Sequence, residues 1–370
     1  MESNPALPLT LYGSSISYFT GKLENYFRIK GIPYHLEPVF AGENAKIIFE
    51  KLGSTQNPAV GLADGRWMSD STPIIAWFES EFPSPTVTPL NPLQRFFSLL
   101  LEDYADEWLW RPAMHYRWHY NRGARFGSTL LAEETTSGQA AYMPIWLRRL
   151  VITKRQRDGY TTGDGITADQ VPGVEAIYRR TLAQLEAIFS KRPFLLGDKP
   201  SLADVGFSGP MFRHFGLDPV PAEIMRQEAP AVSEWVARLW NTRLDNCTGD
   251  LLDGVPEDWG PILDEIGRAY LPYLCANNEA VSAGQRRFDA NIDGVQYRGA
   301  RWSLYRVWCL RKIRDHFGAL PSDDQVQARM LLERHNCWEP LWRHSTLPMK
   351  EDLCSTLPFY VDAKMIDVYK

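Results

Sequence analysis

The sequence predicts an α/β N-terminal domain, then an all-α domain, then a mostly helical C-terminal region that contains a short hairpin. Three observations carry this. Short apolar strands alternate with helical patterns up to about residue 83, a Pro-rich run closes that pattern, and helical spacing then dominates until one alternating stretch near residue 290. The segments divide as 1–83, 93–250 and 251–370.

Residues 9–13 (LTLYG) read as a first strand, Ser17 to Lys30 as a helix, and residues 31–39 (GIPYHLEPV) as a glycine cap followed by a second strand, a βαβ opening. Asn57 to Glu79 is the most informative stretch. Pro58 after a polar loop is a candidate cis-proline, Ala59 to Leu62 forms a short strand, residues 63–66 (ADGR) turn with Asp-Gly chemistry, and Trp67-Met68 return. Asp70-Ser71 opens the next helix, with Ser71 as cap, Pro73 in the first turn, and Ile74, Ile75, Trp77 and Phe78 spaced to bury one side. A helix N-terminus offers unpaired N–H groups and partial positive charge, so it suits a carboxylate.

Prolines 83, 85 and 92 mark the linker. Helices are expected over Leu93 to Asn121, ended or kinked near Arg111 by Pro112, and over Ala140 to Arg157, Val174 to Ser190, Ser201 to Phe215 and Ala231 to Arg243. Gly123 to Gly138 reads as a turn-rich loop and Thr161 to Gly173 as a polar one. Ser201 with Asp204 is a capping box carrying Asp in place of Glu or Gln. Beyond Leu251, Pro256 to Ala283 reads as helix interrupted by Pro272, and Phe288 to Tyr297 as a hairpin around Asp293-Gly294. Arg301 to Phe317 and Asp323 to His335 read as helices, and Phe359 to Tyr369 as an extended strand or clamp. The apolar rows Trp259, Ile262, Ile266, Tyr270 and Tyr305, Trp308, Ile313, Phe317 need cover, which makes the region an integral part of the fold that shapes a pocket.

Composition narrows the function. At 370 residues, 44% hydrophobic and 23% charged, the chain is globular with more than one packed unit. A net charge of −5 and no basic stripe interleaved with aromatics exclude nucleic acid as the expected partner. The start, MESNPALPLT, lacks a signal-peptide pattern and no apolar run has membrane-helix length, so a cytoplasmic protein without a membrane partner is expected. Cys247, Cys275, Cys309, Cys337 and Cys354 are odd in number and show no Cys-x-x-Cys spacing, which argues against a disulfide framework or zinc site.

The Pro58 turn, the Asp70-Ser71 helix start and the segment 192–205 (RPFLLGDKPSLADV), in that order, resemble the glutathione S-transferase family over roughly residues 7 to 250. The resemblance implies a thioredoxin-like N-terminal domain and the family's helical second domain, extended here by residues 251–370. It implies glutathione as co-substrate, held by Gln56 at its glycine end, by the backbone of Asn57 beside Pro58, and by Asp70 and Ser71 at the γ-glutamyl end. Asp70 is one methylene shorter than the usual Glu or Gln. No cysteine lies in the first strand–helix loop, so the Ser-type (zeta-, theta- and omega-like) classes match better. Ser17, thirteen residues before Lys30, is the candidate that donates to the thiolate, which is the nucleophile; capping the helix is its ordinary alternative. Ser15 and Ser14 are rivals and Tyr12 a weaker one.

The segment 103–119 is the expected wall of a second-substrate pocket, through Trp108, Arg111 and His115 together with Tyr18. Glu107, His115 and His119 share a helical spacing that metals use, but Arg111 stands between them and Pro112 disrupts the register, so no metal is expected. The basic run Arg298, Arg301, Arg306, Arg311, Lys312 and Arg314 reads as a solvated helix face, with an anion or acidic-substrate site formed by the C-terminal region as the sharper alternative. The implied activity is thiolate attack on a hydrophobic, aromatic electrophile. Isomerisation, ether cleavage and dehalogenation use the same thiolate, and a non-catalytic interaction module is a third possibility. A homodimer is the family's usual state, through surfaces near the helices starting at Ser71 and Leu93, which a long extension would block or rebuild.

Overall fold

The structure, a computed structural model, describes residues 5–349 and 356–360. Its first unit runs β1 (Leu9–Gly13), α1 (Tyr18–Lys30), β2 (Tyr34–Pro38), α2 (Asn44–Leu52), β3 (Ala59–Gly61), β4 (Trp67–Ser69) and α3 (Ser71–Glu81). The four strands form one sheet in the order β2-β1-β3-β4, with β1 parallel to β2 and the other pairs antiparallel. Strand alternation sorts the side chains by face. Leu11, Val60 and Met68 sit in register and are wholly buried in the core that contains α1 and α3. Tyr12 points the other way, stacks on Trp67 at 5.2 Å and joins Val39, Ile48, Leu52 and Ala59 beneath α2.

The helical part comprises α4 (Pro92–Glu107), α5 (Trp110–His119), α6 (Asn121–Glu134), α7 (Ile145–Tyr160), α8 (Val171–Phe189), α9 (Leu202–Pro210), α10 (Pro219–Glu228) and α11 (Pro230–Asn241). Three findings depart from the sequence reading. The break in the 93–121 helix falls at Trp108–Leu109, and Pro112 lies in the first turn of α5, where its missing N–H is harmless. The stretch expected to be a turn-rich loop is helix α6. Its glycines serve close packing: a Cβ on Gly123 would lie 2.6 Å from the Arg117 carbonyl oxygen. Helices α2 and α10 were not anticipated. The Ser201–Asp204 capping box is present, and Asp204 also accepts from the Leu195 N–H and the Trp235 indole.

The remainder adds α12 (Gly260–Glu265), α13 (Leu271–Ser282), the hairpin β5 (Phe288–Ile292) and β6 (Val295–Ala300), α14 (Leu304–Gly318), α15 (Ser322–Arg334) and α16 (Trp338–Trp342). A π-helical turn over residues 266–270 joins α12 to α13, so Pro272 enters without breaking the helix. Asp293 and Gly294 both take positive φ, 49° and 79°, as a two-residue hairpin turn requires. This region shares one core with the helices before it: Phe317 meets Phe96 of α4 at 5.9 Å, and Gln94 donates to the carbonyls of Leu252 and Gly254. Helices α14 and α15 lie on α4, while residues 356–360 lie against β4 and α3, where Phe359 meets Trp77. Both surfaces through which a family dimer was expected are therefore in contact with the chain's own extension. Most of the Phe359–Tyr369 segment lies outside the described residues, and Thr356 to Phe359 form a turn. No helix among the described residues is long and apolar enough to cross a membrane.

Candidate active site

One cleft of about 1170 Å³ runs between the sheet unit, the α5–α7 helices and the start of α14. Its volume exceeds the few hundred Å³ up to roughly 1000 Å³ that one small ligand usually occupies, leaving room for two. Ser17, Gln56, Asn57, Pro58, Asp70 and Ser71 all line it.

The local sequence explains each placement. Ser17 is the N-cap of α1, its Oγ accepting from the Thr20 N–H at 3.4 Å. Acceptance leaves the hydroxyl proton free to donate into the cleft, so capping and thiolate donation are compatible. The Ser14–Ser17 loop is anchored from α5: Arg117 donates to the Ile16 carbonyl at 2.7 Å while its Nε reaches both carboxylate oxygens of Asp218 at 2.9 Å. Ser14 also lines the cleft. Ser15 does not; its N–H and hydroxyl are taken by Glu134. Tyr12 lies on the other face of the sheet, as its strand parity dictates.

Asn57-Pro58 is a cis bond, and the Asn57 Oδ1 is buried with no hydrogen-bond partner. The helix boundary sits one residue earlier than read: Asp70 precedes α3 at φ 75°, ψ 118°, and Ser71, 4% exposed, is its first residue. Burial pushes the Asp70 carboxyl up to about 6 against the opposing hydrogen bond from Tyr305 and the charge of Lys22.

Two carboxylates that the sequence reading did not assign to binding, Asp106 and Glu107 at the end of α4, complete this corner of the cleft. Burial raises both; Lys22 opposes it at Asp106, and Arg306 and Arg111 oppose it at Glu107. Lys22, on α1, donates to Asp106, to Glu102 at 2.6 Å and to Thr72 at 3.1 Å. The one advance signal was the acidic run at 102–107, which pattern alone cannot separate from a solvated face.

Of the expected second-substrate set, Tyr18 alone lines the cleft, and its hydroxyl donates to the Ala105 carbonyl. Trp108, Arg111 and His115 lie behind the wall. The extension covers the first two: Trp108 packs on Tyr273 and Tyr297, and Arg111 lies 3.8 Å over the Tyr273 ring and pairs with Asp164 at 3.1 Å. His115 bonds Glu175 at 3.0 Å and is held below its usual range by burial. The wall is instead made by Phe19, Trp110, Met114, Trp118, Leu131 and Ile152. His214 lines it as a neutral imidazole, since burial and then Arg117 hold its pKa far down. From the basic run, Arg301 and Arg306 reach the cleft; Arg314 is spent on the Leu341 carbonyl.

Residues 11–86 match the model of the glutathione S-transferase N-terminal domain, and residues 168–238 match that of the C-terminal domain. This chain belongs to the glutathione S-transferase family. Solved structures of similar fold include the beta-etherase LigF from Sphingobium sp. strain SYK-6, at 20% identity over 62% of this chain and 94% of that one (TM-score 0.43). A Tau class glutathione S-transferase from mango is 15% identical over 63% and 89% (TM-score 0.41). A glutathione S-transferase from Rhodospirillum rubrum F11 is 17% identical over 63% and 87% (TM-score 0.41). No curated protein matches the chain. In this family member, residues 251–370 lie outside both matched segments.

Proposed function

We propose that the chain is a glutathione-dependent transferase that activates the glutathione thiol for attack on a hydrophobic, aromatic electrophile. The observation that carries the reading is the convergence of Ser17, Asn57, Asp70 and Ser71 on one cleft whose other end is aromatic. The residues fit the peptide. Ser71 begins an eleven-residue helix whose N-terminal N–H groups and partial positive charge suit a carboxylate. Asp70, Asp106 and Glu107 offer carboxyl oxygens to an ammonium, and Asn57 supplies backbone groups to an extended ligand. Ser17 stabilises the charged form of a thiol by hydrogen bonding, aided by the end of α1.

Phe19, Trp110, Met114 and Trp118 exclude water from the far end and favour a flat apolar partner. Cys247, Cys275, Cys309 and Cys337 are free thiols, which supports a reducing, cytoplasmic setting. Retention on immobilised glutathione, combined with the ultraviolet thiolate band of the complex, tests the reading. Retention with a thiolate band at neutral pH supports it; retention without the band leaves a binding module, and no retention refutes glutathione dependence.

A further inference from the structure

Asp70 keeps φ 75°, ψ 118°, a conformation that a non-glycine residue holds only when its surroundings enforce it. Two parts of the extension reach this turn. The Pro358 carbonyl accepts the Ser69 N–H at 2.8 Å, and Tyr305 lies beside the Asp70 carboxyl in the cleft. Beside them, Arg306 lies 3.5 Å from Glu107 and 3.7 Å from Asp164. Tyr305, Arg306, Asp70, Asp106 and Glu107 share the cleft, and Asp106 Oδ1 is buried there with no hydrogen-bond partner. A corner with three carboxylates and an unused acceptor suits an ammonium, which brings three donors and no acceptor.

We propose that the extension completes the γ-glutamyl end of the glutathione site within the same chain: Tyr305 and Pro358 hold Asp70 as an ammonium acceptor, and Arg306 fixes Glu107 beside it. The inference rests on the glutathione reading above. Tyr305 is a positioning residue acting through Asp70. Selectivity for a thiol peptide with a free γ-glutamyl ammonium then depends on residues outside both matched family segments.

The test is calorimetric titration of the full chain and of Tyr305→Phe with glutathione and with glutaryl-cysteinyl-glycine, the same peptide without its ammonium. Tyr305→Phe is expected to weaken glutathione about 10- to 100-fold, as losing a hydrogen bond to a charged group would, and to leave the glutaryl peptide unchanged. The loss should grow from pH 8 to pH 6. The groups facing Asp70 are Tyr305, Lys22 from α1 and Glu107 from α4; without the phenol, Asp70 protonates at higher pH and loses its ligand's charge partner. Arg306→Gln should show the same selectivity and serves if the first variant does not fold. Equal affinity in parent and variants, or equal loss for both peptides, overturns the inference. A parent that binds no glutathione refutes the functional reading itself, which separates the two failures.

Discussion

Lys22 of α1 donates to Glu102 of α4 at 2.6 Å, with 0% and 1% of the two side chains exposed. This pair ties the sheet unit to the helices directly beneath the Asp70 corner, and Asp106 and Thr72 share the same ammonium. Burial alone would lower the lysine's pKa, but the Asp106 and Glu102 charges outweigh it, so Lys22 stays charged.

Lys22→Met should therefore destabilise the fold by about 3–5 kcal/mol, the cost of leaving buried carboxylates without their partner. Urea denaturation gives the number. A loss under about 1 kcal/mol would mean that the carboxylates take up protons or water at little cost.

Ser17→Ala should lower turnover much more than glutathione affinity, because the hydroxyl acts on the thiolate and not on the peptide's ends. A titration of thiolate absorbance should show the bound thiol's pKa higher in the variant. Identical curves would move the role to Ser14 or a backbone N–H.

Folding should also respond to Asp103. Burial raises its carboxyl to about 7 against the hydrogen bond from Tyr270, and the Glu107 charge adds to the rise. A carboxyl whose folded pKa exceeds its unfolded value of about 3.9 contributes stability that is complete below that value and is lost as pH rises through about 7. Asp103→Asn should flatten the stability–pH profile between pH 4 and 7, by at most about 1.4 kcal/mol per pH unit. A variant with the parental slope would assign the effect to other carboxylates.

The contacts of α14 and α15 on α4, and of residues 356–360 on β4, predict a monomer of 42.3 kDa in sedimentation. Removing residues 251–370 should uncover the α4 face, lowering solubility and melting temperature. A parental dimer, or a truncated chain that melts at the parental temperature, contradicts this.

What could be read from the sequence was local chemistry. The Pro58 turn, the Asp70-Ser71 helix start, the Ser201–Asp204 capping box and the Asp293-Gly294 hairpin each depend on a few adjacent residues, and each is found in the structure. What escaped was set by distant partners. Nothing near Trp108 or Arg111 tells that Tyr273 and Tyr297 cover them, and nothing near Asp70 points to Tyr305. Gly123 and Gly127 looked like turn residues because their real constraint, the close approach of the Arg117 backbone and side chain, is a packing fact.

The most direct test of the whole account is calorimetric titration of glutathione into the parent chain and into Ser71→Ala. The account predicts saturable binding at one site per chain, weakened in the variant by about 1.5–3 kcal/mol, the range for a hydrogen bond to a charged group. No binding by the parent, or unchanged affinity in the variant, would contradict it.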